Sequence, residues 1–117
     1  MQIVFSVGSP YQTVKRVYVP TRALVAGQAL YAAVIADGRV MDKTAADAAN
    51  LVSAGSVKLF GLAASDIAAS AAASVSIDVV VSCRMGIKAF ESANGASSAT
   101  NQMQDDLRFL GLILGGE

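Results

Sequence analysis

Residues 24–63 read LVAGQALYAAVIADGRVMDK (24–43), TAADAANLVSAGS (44–56) and VKLFGLA (57–63). Ala26-Gly27 is a turn signal, and Gln28 to Ile35 after it are rich in strand formers. Asp37-Gly38 is a strong short hairpin signal, because both central positions of a type I′ turn need φ > 0. Arg39-Val40-Met41 then reads as the return strand and Val57 to Ala63 as a third. The stretch describes a β-scaffold with small-residue inserts.

Working outward toward the N-terminus, Thr13 to Val19 alternates: Val14, Arg16 and Tyr18 on one face, Lys15, Val17 and Val19 on the other. Neither face is uniformly apolar, the pattern of an edge strand or of an arm lying on a neighbour. Gln2 to Val7 reads as a short strand ended by Gly8-Ser9-Pro10, and Pro20, which has no backbone donor, turns the chain into the scaffold. Residues 1–20 are therefore expected to form an N-terminal arm or edge strand, and 21–117 the domain.

Toward the C-terminus, Thr44 and Asp47 have capping-box spacing. Residues 45–53 read as a short helix with Ala45, Ala48, Ala49 and Val52 on one face, or as an ordered loop. Ser65-Asp66 opens a second such segment, IAASAAAS, which reads as a helix over 66–73 or as a low-complexity connector. Ser74 to Cys83 is the strongest strand, with Val75, Ile77, Val79, Val81 and Cys83 on one face. Gly86 is expected to break it and Ile87–Phe90 to resume as a partner strand. Residues 92–102 read as a long polar loop. LRFLGLIL (107–114) reads as a strand buried on both faces, closing a barrel or covered by another subunit. The expected fold is mainly β: a small single-domain β-barrel or β-sandwich with one or two short helical segments and an extended N-terminal arm.

Length allows one core, not two, at 117 residues. Apolar residues are 54% of the chain but aromatics only 6%. At roughly 25 cal/mol per Å², small Ala and Val side chains each gain little by burial, so such a chain profits from covering surface against copies of itself or a partner. Nine basic and nine acidic residues balance. Lys15-Arg16 is the one basic pair, so nothing provides the electrostatic footprint of nucleic-acid binding. MQIVFSVGSPY (1–11) has neither the basic region nor the apolar length of a signal peptide. Gly61 to Val81 is interrupted by Asp66 and Asp78, which argues against a membrane span. A soluble protein made in the cytosol is expected.

The chain has no His, which excludes Ser-His-Asp and Cys-His catalysis and His-ligated zinc. The single Cys83 makes no internal disulfide and reads as a small buried hydrophobe. Asp105-Asp106 are adjacent and on a strand would face opposite ways, so spacing alone gives no paired-carboxylate site. Gly8, Gly27, Gly38, Gly55 and Gly61 occur singly, without the clustering of a phosphate loop. No catalytic, cofactor-binding or metal residues are expected, and no enzymatic activity. A lesser alternative is a carrier: Asp42-Lys43 resembles the modified hairpin lysine of lipoyl and biotinyl domains. Val40 stands where their pattern has an acidic residue.

A broader likeness covers residues 24–90. Its elements are Ala26-Gly27-Gln28-Ala29-Leu30, Asp37-Gly38-Arg39-Val40 and Leu59-Phe60-Gly61-Leu62-Ala63, then an Ala68–Ala73 corner, Val79-Val80-Val81 and Gly86-Ile87. This rhythm resembles the tailed-bacteriophage head decoration (cement) proteins, although the corner lacks their usual Gly. The resemblance implies a virion structural protein on the outer capsid surface, bound to the major capsid protein and forming a trimer or other homo-oligomer. Another virion role, in a tail tube or head completion, is the alternative. On that reading Tyr11, Val14, Arg16 and Tyr18 are the candidate capsid-contact arm. Leu107, Phe109, Leu110, Leu112 and Leu114 are the candidate self-association face.

Overall fold

A computed structural model of the chain describes residues 12–33, 38–48, 57–95 and 98–115. Along them run β1 (Gln12–Tyr18), β2 (Ala29–Ala33), β3 (Arg39–Asp42), α1 (Lys43–Ala48), β4 (Val57–Ala63), β5 (Val75–Gly86), α2 (Ile87–Asn94), α3 (Asn101–Leu110) and β6 (Leu112–Gly115). The first five strands close on themselves in the order β1-β3-β2-β4-β5, with β5 returning to β1. The β1–β3 pairing is parallel and the other four are antiparallel. The fold is a small closed five-stranded β-barrel, and β6 adds to β5 in parallel outside the ring.

Alternation along the strands builds two apolar clusters. Tyr18, Leu30, Val40, Ala63, Ile77 and Val79, drawn from all five barrel strands, pack with Leu24 to fill the lumen. Their chain neighbours Ala29, Tyr31, Leu62 and Val80 point outward and are covered by Ala46 of α1, Phe90 of α2, Leu107 of α3 and Leu112 of β6. Successive strand residues face opposite sides, so a strand sandwiched between lumen and helices is apolar on both faces. A barrel this narrow is filled by its own side chains, here one Tyr, two Leu, one Ile, two Val and one Ala.

Two bulges shape the barrel. Thr13 pairs with Val80 but Gln12 with Ser82, leaving Val81 without a β1 partner. An extra residue shifts the phase of the side chains. Ile77 and Val79 thus belong to the lumen, whereas Cys83 and Met85 join the outer cluster. The uniform face expected from Val75 to Cys83 is broken at that point. On β4 the register shifts around Phe60, and a Cβ on Gly61 would lie 2.5 Å from the Val80 carbonyl oxygen and 2.7 Å from Val79 Cγ1. Only glycine admits so close a crossing of β4 over β5.

Several local expectations are corrected. Residues 12–18 of the expected arm or edge strand are a barrel strand: β1 pairs with β5 along its length and, at Val17 and Tyr18 only, with β3 on its other side. The hairpin register is Leu30↔Asp42 and Tyr31↔Met41, three residues away from that of a two-residue turn at Asp37-Gly38. Gly38 nevertheless holds φ +82, and Asp37 lies outside the described residues, as do residues 1–11 and 49–56. Helix α1 is capped by Asp42, whose Oδ1 accepts from the Ala45 amide at 3.3 Å, and it buries Ala46. Thr44, the expected cap, is exposed on the helix.

Residues 66–73 are not helical. Ile67 bridges to Leu24 through two backbone bonds of 2.9 Å, and Ala68–Ala73 are exposed. Alanine and serine there have no apolar stripe to bury, and short helices are marginal without one. Ile87–Phe90, expected as a strand, belongs to α2, where Phe90 is fully buried. The polar loop of 92–102 shrinks to the connection between α2 and α3.

Candidate interaction surface

Among the described residues the large apolar side chains left exposed are Val19 and Val25 on either side of the turn after β1, and Phe109, Leu110 and Ile113 on helix α3 and strand β6. Thr100 is the N-cap of α3, its Oγ1 accepting from the Met103 amide at 3.1 Å. Gln104 donates back to the Ala99 carbonyl at 2.9 Å. Met103, Leu107 and Leu110 recur at helical spacing on one side; Leu107 is fully buried and Met103 half-buried. At the far end Gly111 adopts φ 93, ψ 14 and its amide bonds the carbonyls of Arg108 and Leu107. This left-handed stop divides what reads in sequence as a single apolar strand. The chain then enters β6, which pairs with Cys83–Gly86 of β5.

The division decides what is exposed. Phe109 lies two residues beyond Leu107, about 200° around the helix, and is 91% exposed. Leu110 is 38% and Ile113 42% exposed, whereas Leu112 is fully buried and Leu114 half-buried against the outer cluster. Of the five residues expected to form a self-association face, two are therefore spent inside the chain's own core. Phe109 and Leu110 remain outside. Ile113 was missing from that expectation, because alternation over Leu112-Ile113-Leu114 places it outward only once the strand is known to start after Gly111.

Beside this ridge lies a groove of about 540 Å³ between α3 and the outer surface of the barrel. Tyr31, Val57 and Leu59 form its strand side, and Met103, Leu110 and Phe109 its helix side. Lys58 stands on the β4 wall and Asp106 on the α3 wall. Asp106 accepts from Gln102 at 2.8 Å, while neighbouring Asp105 pairs with Arg108 at 3.5 Å. Such exposed ion pairs contribute little, leaving the groove mainly apolar. Tyr31 at its floor has its phenol pKa raised above the ordinary value, chiefly by burial.

The residues expected to form the capsid-contact arm are placed differently. Tyr18 is 2% exposed and donates its hydroxyl to the Arg22 carbonyl at 2.7 Å. Val14 packs against the lumen cluster, and the Arg16 guanidinium sits 4.9 Å from the centroid of the Phe60 ring, a cation–π contact. Tyr11 lies outside the described residues. The outward face of β1 carries Thr13, Lys15 and Val17, with Lys15 bound to Asp78 at 2.9 Å.

Chemistry-bearing groups are scattered. Lys43 opens α1, its ammonium bonded to Asp47 and its pKa raised by that bond. Asp42 is buried with Arg22 Nη1 4.0 Å away. Burial pushes the Cys83 thiol up to about 11. Among the described residues no three His, Cys, Asp or Glu side chains converge, and no helix is long and apolar enough to cross a membrane. Fold and surface together define a small closed β-barrel bearing an uncovered apolar ridge. No family model, curated protein or solved structure matches the chain.

Proposed function

We infer that this protein is a virion structural protein of the decoration type, binding the outer face of an assembled major capsid lattice and stabilising the head. The observation that carries this reading is the apolar ridge of Phe109, Leu110 and Ile113, set on a rigid barrel beside a strand edge. Strand β6 has a partner on the β5 side, and the described residues place no strand on its other side. An unpaired edge next to exposed apolar side chains is equipment for adhesion. The turn and crossing glycines of the decoration-like rhythm, Gly27, Gly38 and Gly61, have structural work in this barrel, the first two at positive φ and the third at the β4–β5 crossing. The mechanism is linkage: a protein that binds the assembled lattice and not its free subunits stabilises the assembly by its binding free energy. Many copies each adding a small increment resist internal pressure together. The partners are the major capsid protein and copies of this chain; the site of action is the outside of a particle built in the host cytoplasm.

The test is co-sedimentation with empty, expanded shells assembled from the major capsid protein of the same genome. Saturable binding to shells, none to free capsid subunits, and a raised shell disassembly temperature are expected. Equal indifference to shells and subunits would overturn the reading.

A further inference from the structure

We propose that Asn94-Gly95 is a self-modification site kept shut by the fold: opening of α2 lets Asn94 deamidate, and the product cannot fasten α2 again. This stands apart from the capsid reading. Asn94 is the chain's one asparagine followed by glycine, Asn50 preceding Leu51 and Asn101 preceding Gln102. Asparagine is thermolabile, most of all before glycine, where no side chain hinders attack by the next backbone nitrogen. In that reaction the Gly95 amide nitrogen gives its proton to solvent and bonds to Asn94 Cγ. The Cγ–Nδ2 bond breaks, and the nitrogen takes a proton from water and leaves as ammonia. Water then opens the resulting succinimide at one carbonyl or the other. The products are aspartate, or isoaspartate with the main chain rerouted through Cγ.

Folded, both reacting groups are occupied. Asn94 is the last residue of α2, and the Gly95 amide still donates to the Glu91 carbonyl at 2.8 Å. Asn94 Oδ1 accepts from the Ala29 amide at 2.7 Å, and Nδ2 donates to the carbonyls of Gly27 and Phe90 at 2.9 and 3.0 Å. Gly95 itself is exposed, and a Cβ there would meet nothing within 4 Å, so hydrogen bonding and not shielding from water holds the site. Attack requires these bonds to part together, a local opening of the end of α2. Reclosure after conversion fails for a different reason. A carboxylate at position 94 keeps the bond to Ala29 but turns its other oxygen toward the Gly27 and Phe90 carbonyls, acceptor against acceptor. The receiving turn cannot shift to accommodate it. The Gly27 amide bonds the Ala63 carbonyl at 2.8 Å and the Ala63 amide bonds the Gln28 carbonyl at 2.9 Å, pinning the turn to β4. Conversion therefore loosens, one way, the helix whose Phe90 covers the barrel, and adds a negative charge to a neutral chain.

Peptide mass spectrometry tests this on the whole chain, incubated native and in guanidinium chloride above its unfolding midpoint at one pH and temperature. Exchange of ammonia for water in the peptide mass reports deamidation, and enzymatic methylation of the rerouted carboxylate reports isoaspartate. The unfolded chain is expected to convert freely and the native chain at least about a hundredfold more slowly, from about fivefold for each bond that must open. F90L, which thins the packing under α2 and keeps it apolar, speeds the native reaction and leaves the unfolded rate unchanged. Converted chain, refolded and separated by charge, exchanges the amides of Ala29 and α2 faster than unconverted chain taken through the same steps, with β1 and β5 unchanged. N94D, made with the carboxylate in place, shows the same faster exchange without any refolding step. A native rate equal to the unfolded one, an F90L rate equal to wild type, or wild-type exchange at Ala29 and α2 in N94D would each overturn the proposal.

Discussion

Replacing Gly61 by alanine tests the barrel closure directly, because two physical effects of opposite sign meet there. In an unstrained strand position, Gly→Ala stabilises by ~0.4–1 kcal/mol by restricting the unfolded chain. At Gly61 the new methyl would sit 2.5 Å from the Val80 carbonyl oxygen and 2.7 Å from Val79 Cγ1. Ordinary carbon contacts lie near 3.5–4.0 Å, so β4 and β5 must separate by about 1 Å at their crossing. The obstructing oxygen is backbone held in the β4–β5 ladder, where Leu62 pairs with Val80 and Ala63 with Val79; no rotamer change relieves it. Overpacking of this kind costs ~1–3 kcal/mol, and the rigid partner places Gly61→Ala at the upper end. After subtracting the entropic gain, a net loss of about 2 kcal/mol is expected. For a domain of this size that lowers the melting midpoint by roughly 8 °C. Urea unfolding followed by far-ultraviolet circular dichroism and by tyrosine fluorescence measures it, with Gly115→Ala as a control, since a methyl there meets nothing. Gly61→Ala as stable as wild type, or more so, would refute the close crossing and with it the account of how β4 meets β5.

Two other perturbations follow from single contacts. Asn94 clasps α2 to the start of β2: its Oδ1 accepts from the Ala29 amide at 2.7 Å, and its Nδ2 donates to the Gly27 and Phe90 carbonyls at 2.9 and 3.0 Å. Asn94→Ala leaves the amide of buried Ala29 unpaired, costing about 2 kcal/mol in chemical denaturation. Asn94→Asp does not rescue, because a carboxylate then faces two carbonyl oxygens. Cys83 titrates near 9.0 in its ordinary state and at about 11 when folded, through burial. Between those values the unfolded chain has lost a proton that the folded one keeps, so stability falls as pH rises from about 9 to about 11. The fall is of order 2–3 kcal/mol. Cys83→Ala flattens that part of the stability profile, and equal slopes for the two proteins across the window would count against it.

The barrel was legible where strands announce themselves by type. Val57–Ala63 and the core of Val75–Gly86 are rich in β-branched and aromatic residues bounded by turn signals. The absence of His and the single Cys limit the available chemistry from the sequence alone. Short apolar runs were harder, because four to eight such residues fit a strand or a buried helix equally well. Ile87–Phe90 and Leu107–Leu110 became helical because the outer surface of β2, β4 and β5 needed covering, and Phe90 and Leu107 are what cover it.

Half of the candidate surface follows from that same decision. Periodicity identified Phe109 and Leu110 as apolar and near the C-terminus, but could not separate them from Leu107 and Leu112, which the core consumes. Composition and spacing determined a small, charge-balanced, mostly β chain. Tertiary structure decided that β1 closes the ring, that Val81 bulges and that Gly111 turns a strand-like run into a helix and a strand. Those outcomes depend on contacts between residues tens of positions apart, and local preference carries no information about which distant surface a side chain will meet.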